Sequence, residues 1–249
     1  MTILCYHAVD PGWRSPLALR PEEFAAHCAW LARHRTVVPL EVALAQMTPR
    51  GRLPRGMVAL TFDDGLLQLQ EQVFPVLERH RLPATVFLVT GTLTPEGHAV
   101  DWVDTPPPWP LQTLGVDLVL EARDRGFAFA SHSWSHRNLP ELTPQECLQD
   151  LTNSRELLED LLGQPVRYLA YPRGRHDAMV RAATRRAGFT HGLALPEGPE
   201  DPGPYAVPRA GLFPGNGAAV LRAKTSRRYQ VLRQSRVYPW VRATLKRAS

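Results

Sequence analysis

The sequence predicts an α/β fold, a barrel-like parallel sheet wrapped in helices, on three observations. Short apolar runs alternate with longer stretches of helical spacing, the pattern of repeated βα units. Four of those runs hand over at their C-terminal ends to groups suited to a reactive site. No internal repeat and no convincing linker breaks the alternation before about Gly215. With 249 residues, 44% hydrophobic and 21% charged, the chain is long enough to bury one large core and lacks the composition of a disordered protein. The expected organisation is one domain over residues 1–214 and a basic helical tail over 215–249.

Each element follows from local chemistry. Thr2 to Tyr6 is the first predicted strand and runs directly into His7. Pro21-Glu22-Glu23 starts a helix with acids in its first turn, and Phe24, Cys28 and Leu31 follow at i, i+4 and i+7. Thr36 to Leu40 and Met57 to Phe62 read as strands, the second ending in Asp63-Asp64-Gly65. After the strand Ala84 to Val89, the segment Thr94 to Pro110 holds five prolines with Trp102 and Trp109, and reads as a long irregular loop near a site mouth. The strand Phe127 to Ala130 ends in Ser131-His132-Ser133-Trp134-Ser135-His136. Thr143-Pro144-Gln145-Glu146 is a capping box with proline at the first helical position, opening a helix that carries Leu151, Leu158 and Leu162 until Gly163. Tyr168 to Ala170 leads into Tyr171-Pro172-Arg173-Gly174, and a helix from about His176 to Gly188 precedes the strand Phe189 to Leu193. The proline-rich stretch Pro196 to Pro208 closes the βα region.

Composition narrows the setting. Three cysteines, Cys5, Cys28 and Cys147, are an odd number without close spacing, so neither a disulfide framework nor a zinc knuckle is expected. The longest mostly apolar run, Leu82 to Leu93, falls short of the ~20 residues of a spanning helix. No basic region precedes the short apolar N-terminus, so a cytoplasmic protein is expected. The formal net charge is +5, but nine Lys/Arg and no acid lie between Leu221 and Ser249, so the rest of the chain is mildly acidic. Arginines among Val231, Leu232, Val237, Tyr238, Trp240 and Val241 suit a membrane surface, an acidic partner or a solvated helix capping the barrel; nucleic acid is not the expected partner.

The chemistry gathers at strand ends. In a parallel sheet the C-terminal ends share one rim, where α/β folds place reactive groups. Asp63 and Asp64 stand there with Gly65 permitting a tight exit; one acid can aim at a metal and the other at a substrate, although Asp-Asp-Gly is also an ordinary turn. His132 and His136, at i and i+4, can meet on one face of a helical turn and bind one ion, a weak signal by itself that gains weight from following an apolar strand. One carboxylate with two imidazoles leaves open positions, as a hydrolytic metal site requires. Trp102, Trp109 and Trp134 can line the site mouth or fill the core.

Together, Thr61-Phe62-Asp63-Asp64-Gly65 and His132-Ser133-Trp134-Ser135-His136 resemble the motifs of polysaccharide deacetylases with a NodB-like domain, carbohydrate esterase family 4. Ile3-Leu4-Cys5-Tyr6-His7 and Ala170-Tyr171-Pro172-Arg173-Gly174 are similar to the permuted branch that includes poly-N-acetylglucosamine deacetylases. The resemblance, over about Thr2 to Gly211, implies a distorted (β/α) barrel with fewer than eight regular units. It implies metal-dependent removal of an acetyl group from an N-acetylated sugar or glycan. Asp64, His132 and His136 would hold the divalent ion, zinc before cobalt or nickel. Asp63 would be the general base, His7 the general acid, and the Arg173 backbone N–H part of an oxyanion hole. Ala170 departs from the pattern, since many members carry there the arginine that partners the base; Arg209 is expected to fill that role from another loop. An O-acetyl sugar esterase and a catalytically impaired glycan-binding homologue are the rival readings. Retention of Asp63 argues against the second.

Overall fold

The structure, a computed structural model, describes residues 2–47, 56–195 and 203–226 together with Arg228, Tyr229, Leu232, Ser235 and Tyr238. In chain order the elements are β1 (Thr2–Tyr6), β2 (Ala8–Val9), β3 (Ala18–Leu19), α1 (Pro21–His34), β4 (Thr36–Val37), α2 (Leu40–Ala45) and β5 (Met57–Phe62). Next come α3 (Leu69–Gln72), α4 (Phe74–His80), β6 (Ala84–Leu88), α5 (Val116–Asp124), β7 (Ala128–Ser131) and α6 (Pro144–Leu162). The chain continues with β8 (Tyr168–Ala170), α7 (Ala178–Arg186), β9 (His191–Ala194), β10 (Val207–Gly211) and α8 (Ala218–Lys224).

Seven parallel strands close into a ring in the order β1, β5, β6, β7, β8, β9, β10, with β10 pairing back onto β1; β4 adds to the start of β5. This is the barrel the sequence leads one to expect. Side chains alternate across the strands, so one set fills the lumen and the other faces the helices. Leu4, Tyr6, Leu60 and Phe62 pack outward with Phe24, Cys28 and Leu31 of α1. Ile3, Ala59, Phe87, Ala130, Ala170, Leu193 and Val207 form the inner cluster, against which α2 packs Leu40, Ala43 and Leu44.

The capping box of α6 forms as read: Thr143 Oγ1 accepts from the Glu146 N–H at 3.2 Å, and Glu146 accepts from the Thr143 N–H at 2.9 Å. Such a cap is worth ~1 kcal/mol. Gly163 ends the helix in the left-handed conformation, φ 66°.

Several expectations shift. The predicted strand Thr36 to Leu40 is a strand only over Thr36–Val37, because Leu40 starts α2 behind Pro39. Phe127 precedes β7, and the strand placed at Phe189 begins at His191, Phe189 instead packing in the outer core. The helix placed from His176 begins at Ala178, capped by Asp177 Oδ1 on the Val180 N–H at 2.8 Å. The proline-rich closure Pro196 to Pro208 ends inside a strand, Val207 and Pro208 being the first residues of β10. Proline, arginine and glycine within Val207–Gly211 hide a strand from any propensity reading. The start of the predicted tail is part of the barrel's outer layer: Leu221 of α8 is fully buried and the Lys224 ammonium donates to the Gly211 carbonyl at 2.7 Å. Most of the basic tail lies outside the described residues. No helix among the described residues is long and apolar enough to cross a membrane.

Candidate active site

The alternation that fills the lumen also stocks its mouth. Above Ile3 and Ala59, the next inward residues of β1 and β5 are Cys5 and Thr61, register partners, and then His7 and Asp63. Arg209, the inward residue of β10 after Val207, is fully buried in the same barrel. Its two terminal nitrogens donate to the two oxygens of Asp63 at 2.6 and 2.7 Å, a planar, bidentate pair. The guanidinium lies over the Phe87 ring at 5.4 Å and also donates to Thr61 Oγ1, whose own proton goes to the Leu4 carbonyl. The Cys5 thiol donates to Asp63 Oδ2 at 3.3 Å, and Nε2 of His7 and of His132 each lie 4.0 Å from that oxygen. Burial, the largest single influence, raises the Asp63 carboxyl, but the charge and hydrogen bonds of Arg209 together with the neighbouring His132 and His7 outweigh it and hold the group well below the usual carboxylate range.

Asp64 points elsewhere because its backbone turns. Its φ is 69°, and Gly65 follows at 60°, where an added Cβ would meet Leu88 Cδ2 at 2.5 Å. Asp64 Oδ1 lies 3.6 Å from His132 Nε2 and 3.3 Å from His136 Nε2, and ligand atoms of the three residues all fall within 4.8 Å of one another. Zinc bonds of ~2.0–2.3 Å imply tetrahedral edges of ~3.3–3.8 Å, so the three donors suit one divalent ion. The tautomer of His132 agrees. His132 Nδ1 sits 2.8 Å from the Ala170 carbonyl, an acceptor only, so Nδ1 carries the proton and Nε2 presents a lone pair to the site. Burial pushes His132 down to about 4, keeping it neutral, while Asp64, despite burial, is held low by its contact with His136.

The two histidines do not share a helical turn, as their spacing suggested. They converge through a non-helical turn in which Ser133 and His136 take positive φ, 70° and 54°. Asp150 of α6 braces that turn, accepting from the Trp134 N–H at 2.8 Å and from Ser135 Oγ at 2.5 Å. Of the five non-glycine residues with positive φ among the described residues, Asp64, Ser133, His136 and Arg173 all belong to the site region, where such strain is characteristically stored.

The proline-rich loop reaches the mouth as expected, but Trp102 does more than line it. Its indole N–H donates to Asp64 Oδ1 at 3.2 Å, and its ring stacks on His136 at 4.9 Å. Arg173 lies in the turn after β8, as anticipated, and its side chain ties this loop down through the Trp102 carbonyl at 3.2 Å and Asp104 at 3.5 Å. Arg209 approaches Asp63 from a strand, not from a loop. Cys5 and Asp150 join the site with little signal in the sequence: an inward position two before His7, and a polar residue beside the buried Leu151 of α6.

Comparisons with known proteins bear on the family and the fold. A family model described as polysaccharide deacetylase matches residues 50–192, more than half of the chain. The YxkH protein of Bacillus subtilis (strain 168) is 26% identical over 227 residues, 90% of this chain and 75% of that one. A poly-beta-1,6-N-acetyl-D-glucosamine N-deacetylase of Staphylococcus aureus (strain MRSA252) is 22% identical over 198 residues, 75% of this chain and 65% of that protein. The solved structure of Streptococcus pyogenes deacetylase PplD in complex with acetate shares the fold, with a TM-score of 0.77 at 23% identity, covering 91% of this chain and 98% of that chain.

Proposed function

The chain belongs to the polysaccharide deacetylase family, and from that premise we propose that it removes the acetyl group from an N-acetylated sugar or glycan by metal-dependent amide hydrolysis. The observation that carries this reading is the division of labour between consecutive aspartates: Asp64 faces two imidazoles, and Asp63 faces a guanidinium. Asp64, His132 and His136 would hold a divalent ion, zinc before cobalt or nickel given two nitrogens and one carboxylate oxygen. Such an ion acidifies water and polarises the acyl oxygen.

The remaining steps fall to the chain's own groups. Asp63 accepts the proton of the attacking water. Arg209 keeps it anionic and fixes its plane, at the cost of making it a weak base that gives its proton up readily. An amine cannot leave as an anion, so its nitrogen must be protonated. His7, with Nε2 at 4.0 Å from Asp63 Oδ2, is placed to deliver that proton. The Arg173 backbone N–H, in its left-handed turn, is the proposed oxyanion donor, a contact typically worth ~3 kcal/mol.

The test is acetate release from matched N-acetylated and O-acetylated saccharides, before and after chelation and with zinc, cobalt or nickel added back. Release of acetate and free amine in equal amounts, lost on chelation and restored by metal, is expected. Hydrolysis of the esters alone would replace the proposal with an esterase, and release that survives chelation would remove the metal.

A further inference from the structure

A second set of metal donors stands beside the first. Cys5 Sγ, a nitrogen of His7 and an oxygen of Asp63 lie within 4.8 Å of one another, with Sγ at 3.3 Å and His7 Nε2 at 4.0 Å from Asp63 Oδ2. Thiolate, imidazole and carboxylate are the three donor types zinc takes, and these separations bracket the ~3.3–3.8 Å edges of a tetrahedral site. His7 Nδ1 is buried without a hydrogen-bond partner. The His7 side chain is 13% exposed, whereas Asp63 beneath it is 2% exposed, so the cluster opens to solvent through His7.

We propose that Cys5, His7 and Asp63 form a second, inhibitory site for a thiophilic divalent cation such as zinc, cobalt or cadmium. Binding forms one bond each to sulfur, nitrogen and oxygen, releases the Cys5 thiol proton to solvent, and transfers no electrons. Arg209, 2.7 Å from Asp63 Oδ2, repels the incoming cation, which sets the affinity below that of the Asp64 site and confines occupation to excess metal. Occupation removes Asp63 and His7 from proton transfer. That consequence, though not the binding itself, rests on the base and acid roles proposed above.

Cobalt titration of the full chain reads the site directly, because a thiolate bound to cobalt gives a strong near-ultraviolet charge-transfer band. The band is expected only as the second equivalent binds, and it is expected to vanish in Cys5→Ser, where total binding falls to one cation per chain. In His132→Ala, which breaks the first site, the band is expected to persist. Excess zinc is expected to inhibit deacetylation of the wild type, with at least a tenfold higher inhibition constant in Cys5→Ser. A band unchanged in Cys5→Ser, or no band at two equivalents, overturns the site. A Cys5-dependent band without inhibition keeps the site and overturns its inhibitory role, which separates this failure from failure of the deacetylase reading.

Discussion

Asp63 and Asp64 are chain neighbours, yet the two halves of the site they serve are built differently. The Asp63 half grows out of regular strands: Cys5, Thr61 and Arg209 are lumen residues, and Asp63 is locked by two short charge-assisted bonds. The Asp64 half grows out of turns, with Asp64 and His136 themselves at positive φ and the turn that carries His136 braced by Asp150 of α6. The first half satisfies its buried charge within the protein. In the second, a carboxylate and two imidazoles crowd one small volume with a donor capacity that an ion can complete. Identical side chains thus acquire opposite tasks through one change of backbone direction.

The sharpest way to break this contrast is to remove a donor from each half. Asp64→Ala or His132→Ala is expected to abolish tight metal binding and to lower deacetylation by roughly a thousandfold or more. Metal analysis after dialysis, alongside acetate release, reads both. Asp63→Asn is expected to retain the metal and to lose roughly 10²–10⁴ of the rate. A metal-free Asp63→Asn, or a fully active one, would merge the two halves into one.

Arg209 distinguishes them by stability. Replacing it with methionine leaves Asp63 buried and unpaired, a loss typically of ~3–5 kcal/mol. Adding Asp63→Asn removes the uncompensated charge, so the double variant is expected to unfold at higher denaturant than Arg209→Met alone. A double variant as unstable as the single one would show that Arg209 matters by packing on Phe87 rather than by charge.

The members of both halves are largely legible in the sequence, Asp64, His132 and His136 on one side and Asp63, His7 and Arg209 on the other; what is not legible at the Asp63 half is how its residues are carried there. Asp64, His132 and His136 follow apolar runs, and the parallel sheet carries run ends to one rim. Arg209 is expected as the partner of Asp63, but from a loop and not from a strand. Arg209 sits in Val-Pro-Arg-Ala-Gly, which offers no strand signal, and only closure of the ring onto β1 turns its side chain into the lumen. Cys5 is silent for a similar reason, since an inward cysteine in an apolar strand reads as core. The turn of Ser133 and His136 is held locally by Ser131 and Ser133, whose hydroxyls accept from the Ser133 and His136 N–H groups at 3.1 and 3.0 Å, and from α6 by Asp150, which no local pattern encodes.

The smallest effect comes from a histidine in neither half, and it isolates the fold's own response to acid. His27 of α1 lies with Nε2 at 2.5 Å from the Asn216 carbonyl and Nδ1 at 3.3 Å from the Tyr6 hydroxyl. The carbonyl only accepts, so the neutral ring donates through Nε2 and receives the Tyr6 proton at Nδ1. Burial lowers its proton affinity below the ordinary 6.5, with Lys224 adding to the effect and the Asn216 contact and Glu23 opposing it. The unfolded chain therefore binds more protons just below pH 6.5. The contribution is complete above that pH and is lost as pH falls through the folded value, by at most about 1.4 kcal/mol per pH unit. Urea unfolding at pH 7.5 and 5.5 is expected to show a larger loss for the wild type than for His27→Gln, whose amide keeps both hydrogen bonds. Equal losses would assign the acid sensitivity to other groups, the neutral His132 of the Asp64 half first among them.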